Sequence, residues 1–273
     1  AAARFVVASL SAVAILCPST TAAAAERPLV FVGIPPLAWV VEQLSDRVEV
    51  EVLLPPGASP HVYEPSPRQV ASLDGARLYL QIGLPFEGPL LAKIEALMPK
   101  LRVVDCRQGI ELVPMDEHGH DHAEGWADPH IWLDPQRMAV VAATAAAALA
   151  ELLPAERPAI EARLRALQSN LGEADAGIAA RLALLRGRTL VVFHPAYGYF
   201  TRRYGLTQVA VEVEGKAPSA RQLAAIVDSL EGLPVQAIFV QPQFSQIAAQ
   251  RVADAVGCTI IELDPLAEDY LAN

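Results

Sequence analysis

The chain is poor in cysteine. There are three cysteines in 273 residues, and Cys17 lies in an N-terminal apolar run, so Cys106 and Cys258 are left for the body with no CxxC or CxxH spacing. Any metal site must therefore be built from histidine and carboxylate, and the two distant thiols read as free or buried rather than paired. Basic residues are scarce as well. The formal net charge is −10, from 21 Lys and Arg against 31 Asp and Glu, which argues against nucleic acid and anionic membrane surfaces as partners and is compatible with cations. Hydrolase and nucleotide signatures are missing too: there is no HExxH, no GxSxG elbow, and Gly215-Lys216 has Ala210 where a Walker loop needs its first glycine. No apolar run after the first one reaches membrane length.

That first run is the layout of a secretory signal peptide over residues 1–25. It has a single charge at Arg4, an apolar stretch from Phe5 to Cys17 and an Ala-rich end before Glu26. The mature protein is expected to be exported, and loss of Arg4 makes it one unit more acidic. A membrane anchor is disfavoured because the run is short and leads into Pro18, Ser19 and Thr20.

From Glu26 onward short β-branched runs alternate with amphipathic ones, the pattern of βα units and a parallel sheet. Expected strands are Leu29–Gly33, Val48–Leu54, Leu78–Gly83 and Arg102–Cys106, then Thr189–Phe193, Gln208–Val213, Ala237–Gln241 and Thr259–Leu263. Between the two sets, Ile160, Leu164, Leu167, Leu171, Ile178 and Leu182 recur at helical spacing, predicting one long helix. A coiled-coil seam is the competing use of such a stripe, but Gly172 and Gly177 interrupt it, so a rigid linking helix in a monomer is expected. The resulting fold class is α/β, with an N-terminal lobe over 26–154, a linking helix over 155–187 and a C-terminal lobe over 188–273. The chain stops just after Tyr270-Leu271, where a further helix is expected to begin and be cut short.

What is abundant is histidine in one place: four of the six fall between Pro114 and Pro135. His118, His120 and His122 lie on a polar loop over 116–124 with no apolar periodicity and are expected to be weak auxiliary ligands. His130 sits between two X-Pro steps beside Ile131, Trp132 and Leu133, so its ring is expected to be fixed and partly buried. His61 follows the second strand, His194 the fifth and Asp264 the eighth, on the edge where open α/β sheets bind ligands. Taken singly, His194 reads as a helix cap, Asp264 as a turn residue and His61 as a loop histidine. As a set, three imidazoles and a carboxylate converging between two lobes suit four-coordinate zinc.

The segments Pro56–Pro67, Asp128–Pro135, Phe193–Phe200, Gln241–Phe244 and Leu263–Leu266 resemble the periplasmic binding proteins that feed zinc or manganese to ABC uptake transporters, across the whole mature chain. The resemblance implies metal in an inter-lobe cleft, held at His61, His130 and His194, and a membrane permease as partner. It leaves direct ligation by Asp264 open, since that position is a ligand in manganese-type relatives and less uniformly so in zinc-type ones. It also implies Zn2+ as the transported ion, because manganese-type relatives have glutamate at the position of His194. Three departures stand out: Pro60 replaces a carboxylate found in some zinc-type relatives, Gln241 stands where Glu is common, and the C-terminal helix is mostly missing. A manganese or iron carrier, a secreted zinc-dependent hydrolase and a surface protein with a structural metal are the alternatives. Because all three imidazoles must be neutral to bind, affinity is expected to fall steeply below about pH 6.5.

Overall fold

The computed structural model describes residues 27–114, 127–212, 219–233 and 235–272. The leader, the histidine loop with His118, His120 and His122, and Gly215-Lys216 lie outside the described residues.

The first lobe is built on β1 (Leu29–Val32), β2 (Glu49–Val52), β3 (Leu78–Gln81) and β4 (Arg102–Asp105), all parallel in the order β2-β1-β3-β4. Position in the sheet explains their composition. Central β1, LVFV, is buried along three of its residues, whereas edge strand β2, EVEV, alternates exposed glutamate with half-buried valine. Helices α1 (Pro35–Leu44), α2 (Pro67–Ser72), α3 (Glu87–Leu97) and α4 (Pro135–Leu152) complete it. The second lobe repeats the plan with β5 (Thr189–Val192), β6 (Thr207–Ala210), β7 (Ala237–Val240) and β8 (Thr259–Glu262) in the order β6-β5-β7-β8. It carries α6 (Gly198–Tyr204), α7 (Ala220–Leu230) and α8 (Gln246–Val256). In each sheet the strand order reverses beside its first strand, so a crevice opens at the carboxyl ends of β1 and β3 and again at β5 and β7.

The linking helix is α5 (Arg157–Leu182), 26 residues or about 39 Å at ~1.5 Å per residue, with short 3-10 turns at both ends. Gly172 and Gly177 stay helical within it. Its buried residues are Ile160, Leu167 and Leu171, a narrow stripe, and the helix packs along α4, an alanine-rich helix with Ala142, Ala145, Ala146 and Ala148 buried. Farther along, Ile178 and Leu182 line an apolar groove against the second sheet with Phe200 and Phe239, away from the histidines.

Polar contacts tie the lobes together. Asp134, fully buried, caps α4 by accepting from the amides of Gln136 and Arg137, pairs with the Arg137 guanidinium, and has Arg203 of α6 at 3.6 Å. Arg203 and Tyr204 also bind Asp175 on α5. Tyr199 donates its hydroxyl to the Asp128 carbonyl at 3.0 Å and accepts from Val113 N at 3.1 Å.

The expected strands recur with ends trimmed by one to three residues, except that β6 begins one residue early at Thr207, and the linking helix is two residues shorter at its start and five at its end, where 3-10 turns take over. The differences have local causes. After β5, residues Pro195 to Tyr197 form a turn that carries the chain away from His194, and α6 starts at Gly198. Residues 265–266 and 270–272 are turns, and Tyr270 is held by its hydroxyl, which donates to the Trp132 carbonyl at 2.5 Å. Cys106 and Cys258 are both free thiols. No helix among the described residues is long and apolar enough to cross a membrane.

Candidate metal centre

Three side chains meet between the lobes. His61 lies on the proline-rich loop after β2, which is pinned where Tyr63 Oη and Gln69 Nε2 both donate to the Leu53 carbonyl, at 2.8 and 3.1 Å. His130 precedes the turn into α4. Asp128 Oδ1 accepts from its backbone amide at 2.9 Å and from ring Nδ1 at 2.7 Å, fixing main chain and imidazole together. Behind this pair Trp132 stands 5.1 Å from the His130 ring and donates Nε1–H to the Pro265 carbonyl at 2.7 Å.

His194 follows β5 directly, and Gln241 at the end of β7 grips its backbone from both sides. Its Oε1 accepts from His194 N at 3.2 Å and its Nε2 donates to His194 O at 3.0 Å. A glutamate could not make the second bond, so Gln241 acts here as a backbone clamp. Phe244 stacks on the His194 ring at 4.8 Å, and Glu212, just beyond β6, accepts from its Nδ1.

The consequence is a triangle of Nε2 atoms. His61 and His130 are 3.3 Å apart, His61 and His194 2.9 Å, His130 and His194 3.4 Å. In a tetrahedral zinc site with Zn–N of about 2.0–2.1 Å, ligand nitrogens lie about 3.3 Å from one another. The triangle thus has the dimensions of one tetrahedral face. With Nδ1–H of His130 and His194 committed to carboxylates, both Nε2 atoms present lone pairs, and His61 can donate to only one of them. A cation at the centre resolves that conflict.

Burial reinforces it. His61 is pushed down to about 2, first by desolvation and then by repulsion from His194 and His130. Desolvation, with repulsion from His130 added, holds His194 well below the usual histidine range. In the metal-free protein both rings therefore resist protonation below the usual histidine range.

Among the described residues these three are the one group of His, Cys, Asp and Glu placed to share an ion. Asp264 emerges on the same edge but stands outside the group, its Oδ1 accepting from Gln243 Nε2 at 2.8 Å and Leu266 N at 2.9 Å. Asp128 and Glu212, the carboxylates on the His130 and His194 rings, are the residues of this cluster that motif spacing did not single out. Asp128 was visible two positions before His130; Glu212 had no local signal, because its partner lies 18 residues away.

Comparison with known proteins identifies the family. Residues 30–273 match the family model for the periplasmic component A of the zinc-uptake complex. The chain belongs to the zinc-uptake component A family. Its members are binding proteins of ABC transporters, not enzymes, which sets aside the hydrolase alternative. The high-affinity zinc uptake system protein of Haemophilus ducreyi is 30% identical over 262 residues, spanning 87% of this chain and 84% of that protein. Its counterpart from Yersinia pestis is also 30% identical, over 89% of this chain and 85% of its own length. Among solved structures, a crystal structure of ZnuA has a TM-score of 0.83 at 37% identity, covering 90% of this chain and 94% of that one. The periplasmic zinc-binding protein TroA of Treponema pallidum has a TM-score of 0.77 at 26% identity, with 90% and 94% covered.

Proposed function

We propose that this zinc-uptake component captures one Zn2+ between its lobes with Nε2 of His61, His130 and His194 and delivers it to an ABC permease. The observation that carries the proposal is the triangle of imidazole Nε2 atoms at tetrahedral spacing, backed by buried carboxylates on two of the three rings. The donor set also decides between metals. Manganese prefers oxygen ligands and higher coordination, and zinc lies well above it in intrinsic affinity, so a three-nitrogen site favours zinc on both counts. Asp128 and Glu212 supply the two negative charges that offset a divalent ion in a buried place.

In this reading residues 1–25 are a signal peptide, the mature protein works in the periplasm as a monomer, and nucleic acid plays no part. Lobes over 26–154 and 188–273 are joined by the helix over 155–187. His118, His120 and His122 bind a second, weaker equivalent.

The test is zinc titration of the purified mature protein against a competing chelator. One tight equivalent is expected, preferred to manganese at pH 7 and lost in each of His61→Ala, His130→Ala and His194→Ala while circular dichroism is unchanged. Parent-like zinc affinity in His194→Ala would refute the assignment.

A further inference from the structure

We propose that Gln243 holds the Asp264 carboxylate out of the zinc coordination shell and thereby sets the metal preference of the site. The inference rests on the zinc-carrier reading above and goes beyond it, because it concerns a side chain that touches no ion.

Sheet order supplies the geometry. His194 leaves β5, the Gln241–Phe244 turn leaves neighbouring β7, and Asp264 leaves β8 next to that. Two strand spacings of about 4.8 Å put the His194 and Asp264 backbones roughly 10 Å apart, a gap that an imidazole, an ion and a carboxylate can bridge. The carboxylate is turned to other partners instead. Oδ1 takes hydrogen bonds from Gln243 Nε2 at 2.8 Å and from Leu266 N at 2.9 Å. An ionised carboxylate only accepts, so the Gln243 amide must present its NH2 to Asp264. Gln243 is itself anchored at the site, since Gln241 two residues before it clamps the His194 backbone and Phe244 directly after it stacks on the His194 ring.

The chemical effect follows from the donor that is withheld. With Asp264 tethered, the ion meets three imidazoles and solvent, a set that suits zinc. With Asp264 admitted, it gains an anionic oxygen, the donor type that manganese requires. Gln243 is thus a positioning residue for selectivity, acting through Asp264.

Direct zinc–manganese competition on the mature protein tests this with Gln243→Leu, which keeps bulk and loses the donor, with Gln243→Ala, and with Asp264→Asn alone and combined with Gln243→Leu. Both Gln243 variants are expected to narrow the preference for zinc by about tenfold or more, the scale on which outer-layer contacts tune metal sites. Asp264→Asn alone leaves zinc affinity nearly unchanged, and adding it to Gln243→Leu restores the parent preference, which a general loosening of the fold would not do. The proposal is overturned if both Gln243 variants keep the parent ratio, if narrowing survives in the double variant, or if Asp264→Asn alone weakens zinc binding tenfold or more on the same scale. The two readings fail separately: a parent without His194-dependent zinc binding sinks the carrier reading and this one with it, whereas intact parent binding with an unmoved ratio sinks only the tether.

Discussion

Replacing Asp128 by asparagine separates charge from hydrogen bonding at the centre of the site. The amide oxygen of Asp128→Asn can still accept from His130 Nδ1 and from the His130 amide, so ring orientation and tautomer are kept while one negative charge is lost. With Oδ1 2.7 Å from Nδ1 and the ion beyond Nε2, the carboxylate lies about 6.5 Å from bound zinc. At an effective dielectric near 20, a unit charge and a divalent ion at that separation attract by about 5 kcal/mol. Rearranged water and protein dipoles return part of this, so we expect zinc affinity to fall roughly 10- to 100-fold, about 1.4–2.7 kcal/mol. Gly198, the first residue of α6, adds a check: a Cβ there would lie 2.7 Å from Asp128 Oδ2, so Gly198→Ala should displace the carboxylate and weaken binding in the same direction. The assay is chelator competition at pH 7, with thermal unfolding of the metal-free proteins to confirm folding. Parent-like affinity in Asp128→Asn would refute the charge argument and leave the carboxylate only an orienting role.

Three further expectations follow from other parts of the structure. Because His61 and His194 are depressed, the unfolded chain takes up protons below pH 6.5 that the folded metal-free protein refuses, so stability should fall as pH drops from 6.5 toward the His61 value of about 2. Deleting residues 117–124 should remove a weak zinc equivalent in calorimetry and leave the tight one; loss of the tight one would show that the loop belongs to the main site. Gly33→Ala should destabilise by about 1–3 kcal/mol in urea unfolding, since its Cβ would meet Glu87 Oε1 at 2.7 Å, and that buried carboxylate holds the amides of Ile82, Gly83 and Leu84. A parent-like midpoint would show that Glu87 can shift without loss.

How far the sequence could be read depended on the range of each signal. Strand and helix periodicity is local, so both sheets, α4 and the linking helix were legible, as was the placing of His61, His130, His194 and Asp264 at strand ends and on the loop before α4. The aim of each side chain was not. Asp264 stands at the expected strand end, yet Gln243 and the Leu266 amide take its Oδ1, a choice made by a residue 21 positions away. Glu212 reaches His194 only because β5 and β6 are neighbours in the sheet. Gln241 looked like a lost charge and is a backbone clamp, a role visible only once the two strand ends are side by side. Tyr270 is tied by its hydroxyl to the carbonyl of Trp132, 138 residues earlier, a contact with no local signal.

Whether three Nε2 atoms share one zinc ion is read out by anomalous diffraction at the zinc edge from crystals of the zinc-loaded mature protein. The account predicts one strong peak between the lobes, about 2.0–2.1 Å from Nε2 of His61, His130 and His194. A principal peak elsewhere, or one reached through Nδ1 or by fewer than these three rings, would contradict it.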